Sequence, residues 1–232
     1  MKSILLDIEG TTTPIKFVHE VLFPFARNKI PGYVATNFES LGAEVAKLIA
    51  EHEKDVSYTE HFDPTSRKSV AKYLAFLIDE DRKSTPLKSI QGKIWKAGYE
   101  SGELKSVVFD DVPRAFERWK AAGKSIAIFS SGSILAQQLL FRYTDHGDLT
   151  PFIASHFDTN IGPKRERKSY EAIAAELDVS PNEILFVSDI IAELDAARDG
   201  GVSTVLAVRP GNAPVDSDVA HRVIETFDDI AG

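Results

Sequence analysis

The 232-residue chain contains no cysteine and one methionine. Without a thiol there is no disulfide and no thiolate metal site, so any metal must be held by oxygen or imidazole ligands, and Mg2+ suits a carboxylate site best. Long apolar runs are missing too. No stretch approaches the roughly 18 to 20 consecutive apolar residues of a membrane span, and no extended apolar segment with a cleavage site opens the chain. A cytoplasmic protein with no membrane partner is expected, and a monomer. Positive charge is also short, with Lys+Arg 27 against Asp+Glu 35, a net charge of -8 and a pI near 5.3. Such a surface repels a nucleic-acid backbone but still permits a phosphate monoester at a local cationic spot. At 43% hydrophobic, the chain can bury one large core, or a core and an appendage. It has no internal repeat and no low-complexity segment.

Short apolar runs recur at 4–6, 125–129, 184–187 and 204–208, and suit strands buried on both faces of a parallel sheet. Helical patterns at about 111–122, 132–144, 166–178 and 190–199 alternate with them, with Gly123 and Gly200-Gly201 as helix stops. The pattern predicts an α/β, doubly wound parallel sheet. Between the first two strands lie over a hundred residues with helical periodicity at 17–28, 38–52, 66–83 and 86–102, far too many for a βα loop. We therefore expect a catalytic core of residues 1–14 plus 107–232 and an inserted all-helical domain of residues 15–106. Val70, Tyr73, Leu74, Leu77 and Ile78 are spaced as one buried stripe. Residues 55–63 read as an exposed loop, and His52 and His61 are too loosely spaced for a metal pair.

Several strand ends carry chemistry. Asp7 follows Ile4-Leu5-Leu6 and opens the string Asp7-Ile8-Glu9-Gly10-Thr11-Thr12-Thr13-Pro14. An aspartate at a strand's C-terminal end, beside a second acid, can hold Mg2+ and attack a phosphoryl group. Ser130 and Ser131 end the second strand before a helix, where hydroxyls and freed N–H groups make an anion site; a plain helix cap is the alternative. Gly162-Pro163 fixes the backbone ahead of Lys164, the candidate phosphoryl-facing cation, although Arg165, Arg167 and Lys168 allow a solvated basic face instead. As a loop residue, Lys164 is expected to add little packing. Asp189 ends the run Leu185-Phe186-Val187-Ser188 and would complete an oxygen shell for one Mg2+ with Asp7 and Glu9. Glu193 reads as a second-layer or helix-surface residue, and Arg209-Pro210-Gly211-Asn212 as a turn or a site element. Gln91 and Trp95 share a helix face that either packs or meets substrate.

Taken together, these blocks resemble the haloacid dehalogenase superfamily of phosphohydrolases. Most of its members carry aspartate where this chain has Glu9. With DIEGTTTPI, IQGKIW, FSSGS, FVSD and VRPGNA in order, the chain is similar to the enolase-phosphatase, or acireductone synthase, family over essentially its full length. The resemblance implies a helical cap that closes over the site and selects the substrate, and Ser130/Ser131 gripping the phosphoryl oxygens. Asp7 would then be nucleophile and Glu9 the acid and base. It further implies enolisation and then dephosphorylation of 2,3-diketo-5-methylthiopentyl 1-phosphate to the acireductone of methionine salvage. A Mg2+-dependent phosphatase of another small metabolite would keep every motif. A signalling receiver would be about half this length, and a purely binding module would not need all four motifs.

Overall fold

The computed structural model describes residues 1–215 and 219–232. It divides into two compact units, one formed by Met1–Val18 with Lys105–Gly232 and the other by His19–Leu104. The first boundary falls later than residue 14 because α1 (Ile15–Phe17) continues directly from the Asp7–Pro14 loop, with the Phe17 N–H donating to the Pro14 carbonyl.

In chain order, β1 (Ser3–Leu6) and α1 are followed by the helical unit, which holds α2 (Phe23–Asn37), α3 (Gly42–His52), α4 (Arg67–Asp79) and α5 (Thr85–Glu100). The chain then returns to the α/β unit through α6 (Asp111–Ala121), β2 (Ser125–Phe129), α7 (Ile134–Arg142), β3 (Ile153–Phe157) and α8 (Arg167–Glu176). β4 (Ile184–Ser188), α9 (Ile191–Asp199), β5 (Ser203–Ala207) and β6 (Arg222–Ile224) complete it.

The sheet runs β3-β2-β1-β4-β5-β6, and every pairing is parallel. Strand side chains alternate faces. Ile4 and Leu6 therefore join Val112, Phe116 and Trp119 in one core, while Leu5 joins Tyr170, Ile173 and Phe186 in the other. Coverage on both faces explains why the central strands read as unbroken apolar runs. β3 and β6 escape that reading because each is an edge strand with one neighbour. Ala154 of β3 and Arg222 of β6 are exposed, so neither strand shows a continuous apolar signal. Order reverses between β1 and β4, with β2 on β1's other side, so the carboxyl ends of these three strands form the crevice where open α/β sheets bind ligands.

Within the helical unit, α2 runs past its expected end at 28 to Asn37, through Pro31 and Gly32. Burial of Ala26, Ile30 and Val34 outweighs the lost N–H of proline. α4 and α5 start at side-chain caps, Ser66 accepting from the Ser69 N–H and Ser84 from the Leu87 N–H. The segment 55–63 is a loop, as expected, with Val56, Ser57, Thr59, Glu60 and His61 exposed, but it is pinned at three buried positions. Asp55, Tyr58 and Phe62 are buried, and His52, Tyr58, Phe62, Tyr73 and Phe76 form one aromatic cluster. Asp55 accepts hydrogen bonds from Ser57 and the Tyr73 hydroxyl and pairs with Arg82 at 3.1 Å. Trp95 is a packing residue, its indole N–H donating to the Leu22 carbonyl at 2.9 Å. No helix among the described residues is long and apolar enough to cross a membrane.

Candidate active site

β1 delivers Asp7 to the rim, where its N–H donates to the Val187 carbonyl of β4 at 3.0 Å. The chain then turns tightly. The Ile8 carbonyl accepts from the N–H groups of Thr11, Thr12 and Thr13, and the Gly10 N–H donates to the Thr13 carbonyl at 2.8 Å. Gly10 needs its missing side chain twice over. Its φ is +68°, and a Cβ there would lie 2.3 Å from Asp189 Oδ2 and 2.9 Å from Asn212 Oδ1. This close approach puts the Asp189 carboxylate against the loop that begins at Asp7.

Asp7 is buried, and its two oxygens differ. Oδ1 accepts from the Ile8 N–H at 2.7 Å and from Lys164 Nζ at 2.7 Å. No described residue donates to Oδ2. Lys164 is only 7% exposed, which corrects the expectation of a lightly packed loop lysine. Its ammonium bridges Asp7 Oδ1 and Glu193 Oε2, the latter at 2.6 Å. The turn that carries it is held from α8: Ser169 Oγ donates to the Pro163 carbonyl at 2.7 Å and the Tyr170 hydroxyl to the Lys164 carbonyl at 2.6 Å. Arg165, Arg167 and Lys168 are exposed, and Arg167 pairs with Glu171. Of the basic cluster, only Lys164 meets Asp7.

Just past β2, Ser130 is buried, and its hydroxyl accepts from the Gly132 N–H at 3.2 Å. The cap of α7 is Ser133, which accepts from the Ala136 N–H. The capping alternative therefore belongs to Ser133, and Ser130 and Ser131 stand ahead of the helix, just past the end of β2, the strand that pairs with β1. Glu9 lies within the tight loop, in a backbone bridge to Thr13.

Glu193 is the residue the sequence reading undervalued. It is buried, accepts from Ser188 Oγ at 3.1 Å, and holds Lys164 opposite Asp7. The available signal was its place in the first turn of α9, four residues after a strand-end aspartate. Arg209 and Asn212 were equally veiled. Arg209 is buried between the Phe109 and Phe227 rings, pairs with Asp111 at 2.8 Å and donates to the Thr11 carbonyl, while Asn212 Nδ2 donates to the Gly10 carbonyl at 2.9 Å. The turn thus grips two successive carbonyls of the Asp7 loop.

The charges do not balance. Burial pulls the Lys164 ammonium down, but the neighbouring Asp7 and Glu193 charges outweigh it and hold the group above its ordinary value. Burial first, and the Asp7 charge second, push the Asp189 carboxyl up to about 7. The same two causes raise Glu193, against the pull of Lys164. Three acids around one buried ammonium leave negative charge uncompensated, which is the environment of a divalent cation. Among the described residues no three His, Asp or Glu side chains converge on a metal-sized point. Magnesium suits such a site, because it usually takes one or two carboxylates and keeps several waters.

Comparison with known proteins agrees with this geometry. Residues 1–201 match the model of the haloacid dehalogenase-like hydrolase family. The chain is 50% identical to an enolase-phosphatase E1 of Synechococcus elongatus, covering 98% of this chain and 97% of that one. It is 47% identical to an enolase-phosphatase E1 of Sorangium cellulosum, over 99% and 97% of the two chains. Among solved structures, the UTR4 protein of Saccharomyces cerevisiae superposes with a TM-score of 0.79 at 35% identity, covering 98% of both chains. A Thermococcus onnurineus phosphatase of the same superfamily shares the fold, with a TM-score of 0.62 at 17% identity over 99% of this chain and 95% of that one. The chain belongs to the haloacid dehalogenase-like hydrolases and, within them, to the enolase-phosphatase family.

Proposed function

We propose that this phosphoric monoester hydrolase is a Mg2+-dependent enolase-phosphatase of methionine salvage. It would convert 2,3-diketo-5-methylthiopentyl 1-phosphate to 1,2-dihydroxy-3-keto-5-methylthiopentene, in the cytoplasm and as a monomer. The observation that carries the chemistry is the asymmetry of Asp7. One carboxylate oxygen is pinned by two donors and the other accepts from no described residue, as an in-line nucleophile requires.

In this reading Asp7 Oδ2 forms the new bond to phosphorus while the ester P–O bond breaks. Glu9 gives its proton to the leaving oxygen and then takes one from the water that hydrolyses the aspartyl-phosphate. Lys164 presents a fixed positive charge to the phosphoryl oxygens, kept in place by Glu193. Ser130 and Ser131 bind those oxygens from the segment that follows β2. Asp7 and Asp189 would hold the Mg2+, with Glu9 as the further expected ligand; when bound, the ion supplies charge stabilisation for the phosphoryl oxygens and for an enediolate.

The test is to supply the diketo phosphate with and without Mg2+, recording phosphate release together with the ultraviolet absorbance of the enol product. Both signals should require Mg2+ and disappear in Asp7→Asn. Phosphate release from other small esters, with no enol signal from the diketone, would replace this substrate with another metabolite. Retention of more than about a tenth of wild-type release in Asp7→Asn, a barrier change of only about 1.4 kcal/mol, removes Asp7 from the nucleophile role.

A further inference from the structure

The carboxamide of Asn212 is oriented by its own hydrogen bonds. Nδ2 donates to the Gly10 carbonyl at 2.9 Å and to the Ala207 carbonyl at 3.2 Å, so the amide nitrogen cannot be exchanged with the oxygen without setting acceptor against acceptor. Oδ1 is thereby committed to the opposite direction. It is buried and accepts from no described residue. A buried acceptor left in that state carries an uncompensated desolvation penalty. Its neighbourhood says which donor is missing. Asn212 Oδ1 and Asp189 Oδ2 press on the same side of Gly10. Neither nearby acid, Asp7 or Asp189, makes a hydrogen bond to Asn212 Oδ1, and Lys164 is already shared between Asp7 and Glu193.

We infer that Asn212 is a positioning residue of the divalent-cation site, its Oδ1 accepting a hydrogen bond from a water carried by the ion. Magnesium gives up its hydration water reluctantly, and each retained water needs acceptors fixed by the protein. The turn Arg209–Asn212 suits that task. The Asn212 N–H closes it on the Arg209 carbonyl at 3.0 Å, and Arg209 anchors it through Asp111 and the Glu225 carbonyl. The inference rests on the Mg2+ dependence proposed above but not on the identity of the ester.

Calorimetric titration of MgCl2 into the wild type, Asn212→Leu and Asn212→Asp tests it, with thermal unfolding in EDTA as the control for folding. Removal of an outer-layer partner typically weakens metal binding 10- to 100-fold. Asn212→Leu should lose about tenfold or more in Mg2+ affinity. Asn212→Asp, which keeps an acceptor oxygen and adds charge, should bind at least as tightly as the wild type although it loses the Nδ2 tether. If the leucine variant does not fold, Asn212→Ala carries the same expectation. Affinity within twofold of wild type in the leucine or alanine variant overturns the inference. So does equal weakening in the aspartate variant, which would make the amide only a tether, and so does a wild type that binds no Mg2+. Because the readout is binding, a wild type inactive on the diketo phosphate refutes the substrate and leaves this result standing.

Discussion

Lys164 is the residue on which stability and chemistry meet. A buried ion pair adds little net stability, but removing one partner strands the other in a poorly solvating interior, at a cost of about 3–5 kcal/mol. Here the stranded partners number two, Asp7 and Glu193. Lys164→Ala should therefore lower the urea-unfolding free energy by that amount as well as abolish turnover. Adding Glu193→Gln, which removes one stranded charge, should recover part of the stability and none of the activity. A Lys164→Ala protein as stable as wild type contradicts the burial argument. Arg167→Ala, exposed and paired within its own helix, should alter stability by under about 0.5 kcal/mol. Glu9 tests selectivity. Aspartate is one methylene shorter, and misplacement by about 1 Å can cost about a hundredfold. Glu9→Asp should lose turnover of the diketo phosphate far more than hydrolysis of an aryl phosphate, whose good leaving group needs little acid help. Equal losses on both substrates would mean that the length of Glu9 has no bearing on substrate choice.

At the scale of the element, β3 shows how an edge strand couples the sheet to the site. His156 sits on it with Nδ1 3.2 Å from Gln137 Oε1, while Gln137 Nε2 donates to the Gly132 and Phe157 carbonyls. Gln137 thus links β3 to the segment that follows Ser130 and Ser131. Burial pushes the His156 imidazole below its ordinary 6.5. The unfolded chain takes up the proton more readily, so stability is complete above about pH 6.5 and declines as pH falls from there toward the lower folded value. Urea midpoints measured between pH 7.5 and 5.5 should fall more steeply in the wild type than in His156→Gln. Parallel profiles would show that His156 protonates equally in both states.

At the scale of the whole molecule, each of the two units has buried packing of its own, and each contains one of the two tryptophans. Trp119 is buried in the α/β unit and Trp95 in the helical unit. Retaining one at a time, by Trp119→Phe or Trp95→Phe, lets each unit report its own unfolding. Leu74 is fully buried in α4, and Leu74→Ala should cost the helical unit about 2–5 kcal/mol. The denaturant midpoint read from Trp95 should then fall more than that read from Trp119, because local stability follows local packing. Equal shifts would mean that the two units unfold as one cooperative block.

Alternation, apolar runs and strand-end acids are short-range signals, and they alone determined the parallel-sheet class, the helical insertion and the candidates Asp7, Ser130, Ser131 and Asp189. They work because a central strand is buried on both faces and ends at the rim whatever the rest of the chain does. The edge strands β3 and β6 stayed hidden because a strand with one neighbour need not be apolar. α2 outran its expected end because buried side chains on both sides of Pro31 outweigh a local helix breaker. Lys164 was legible as a cation at a turn, but its burial between Asp7 and Glu193 was not. Which acid faces which base, across stretches of chain as long as that from Asp7 to Lys164, depends on strand order and helix rotation, and no local pattern carries that information. The Asn212 amide above Gly10 is of the same kind: the turn is visible in the letters, and its partner is a decision of the tertiary structure alone.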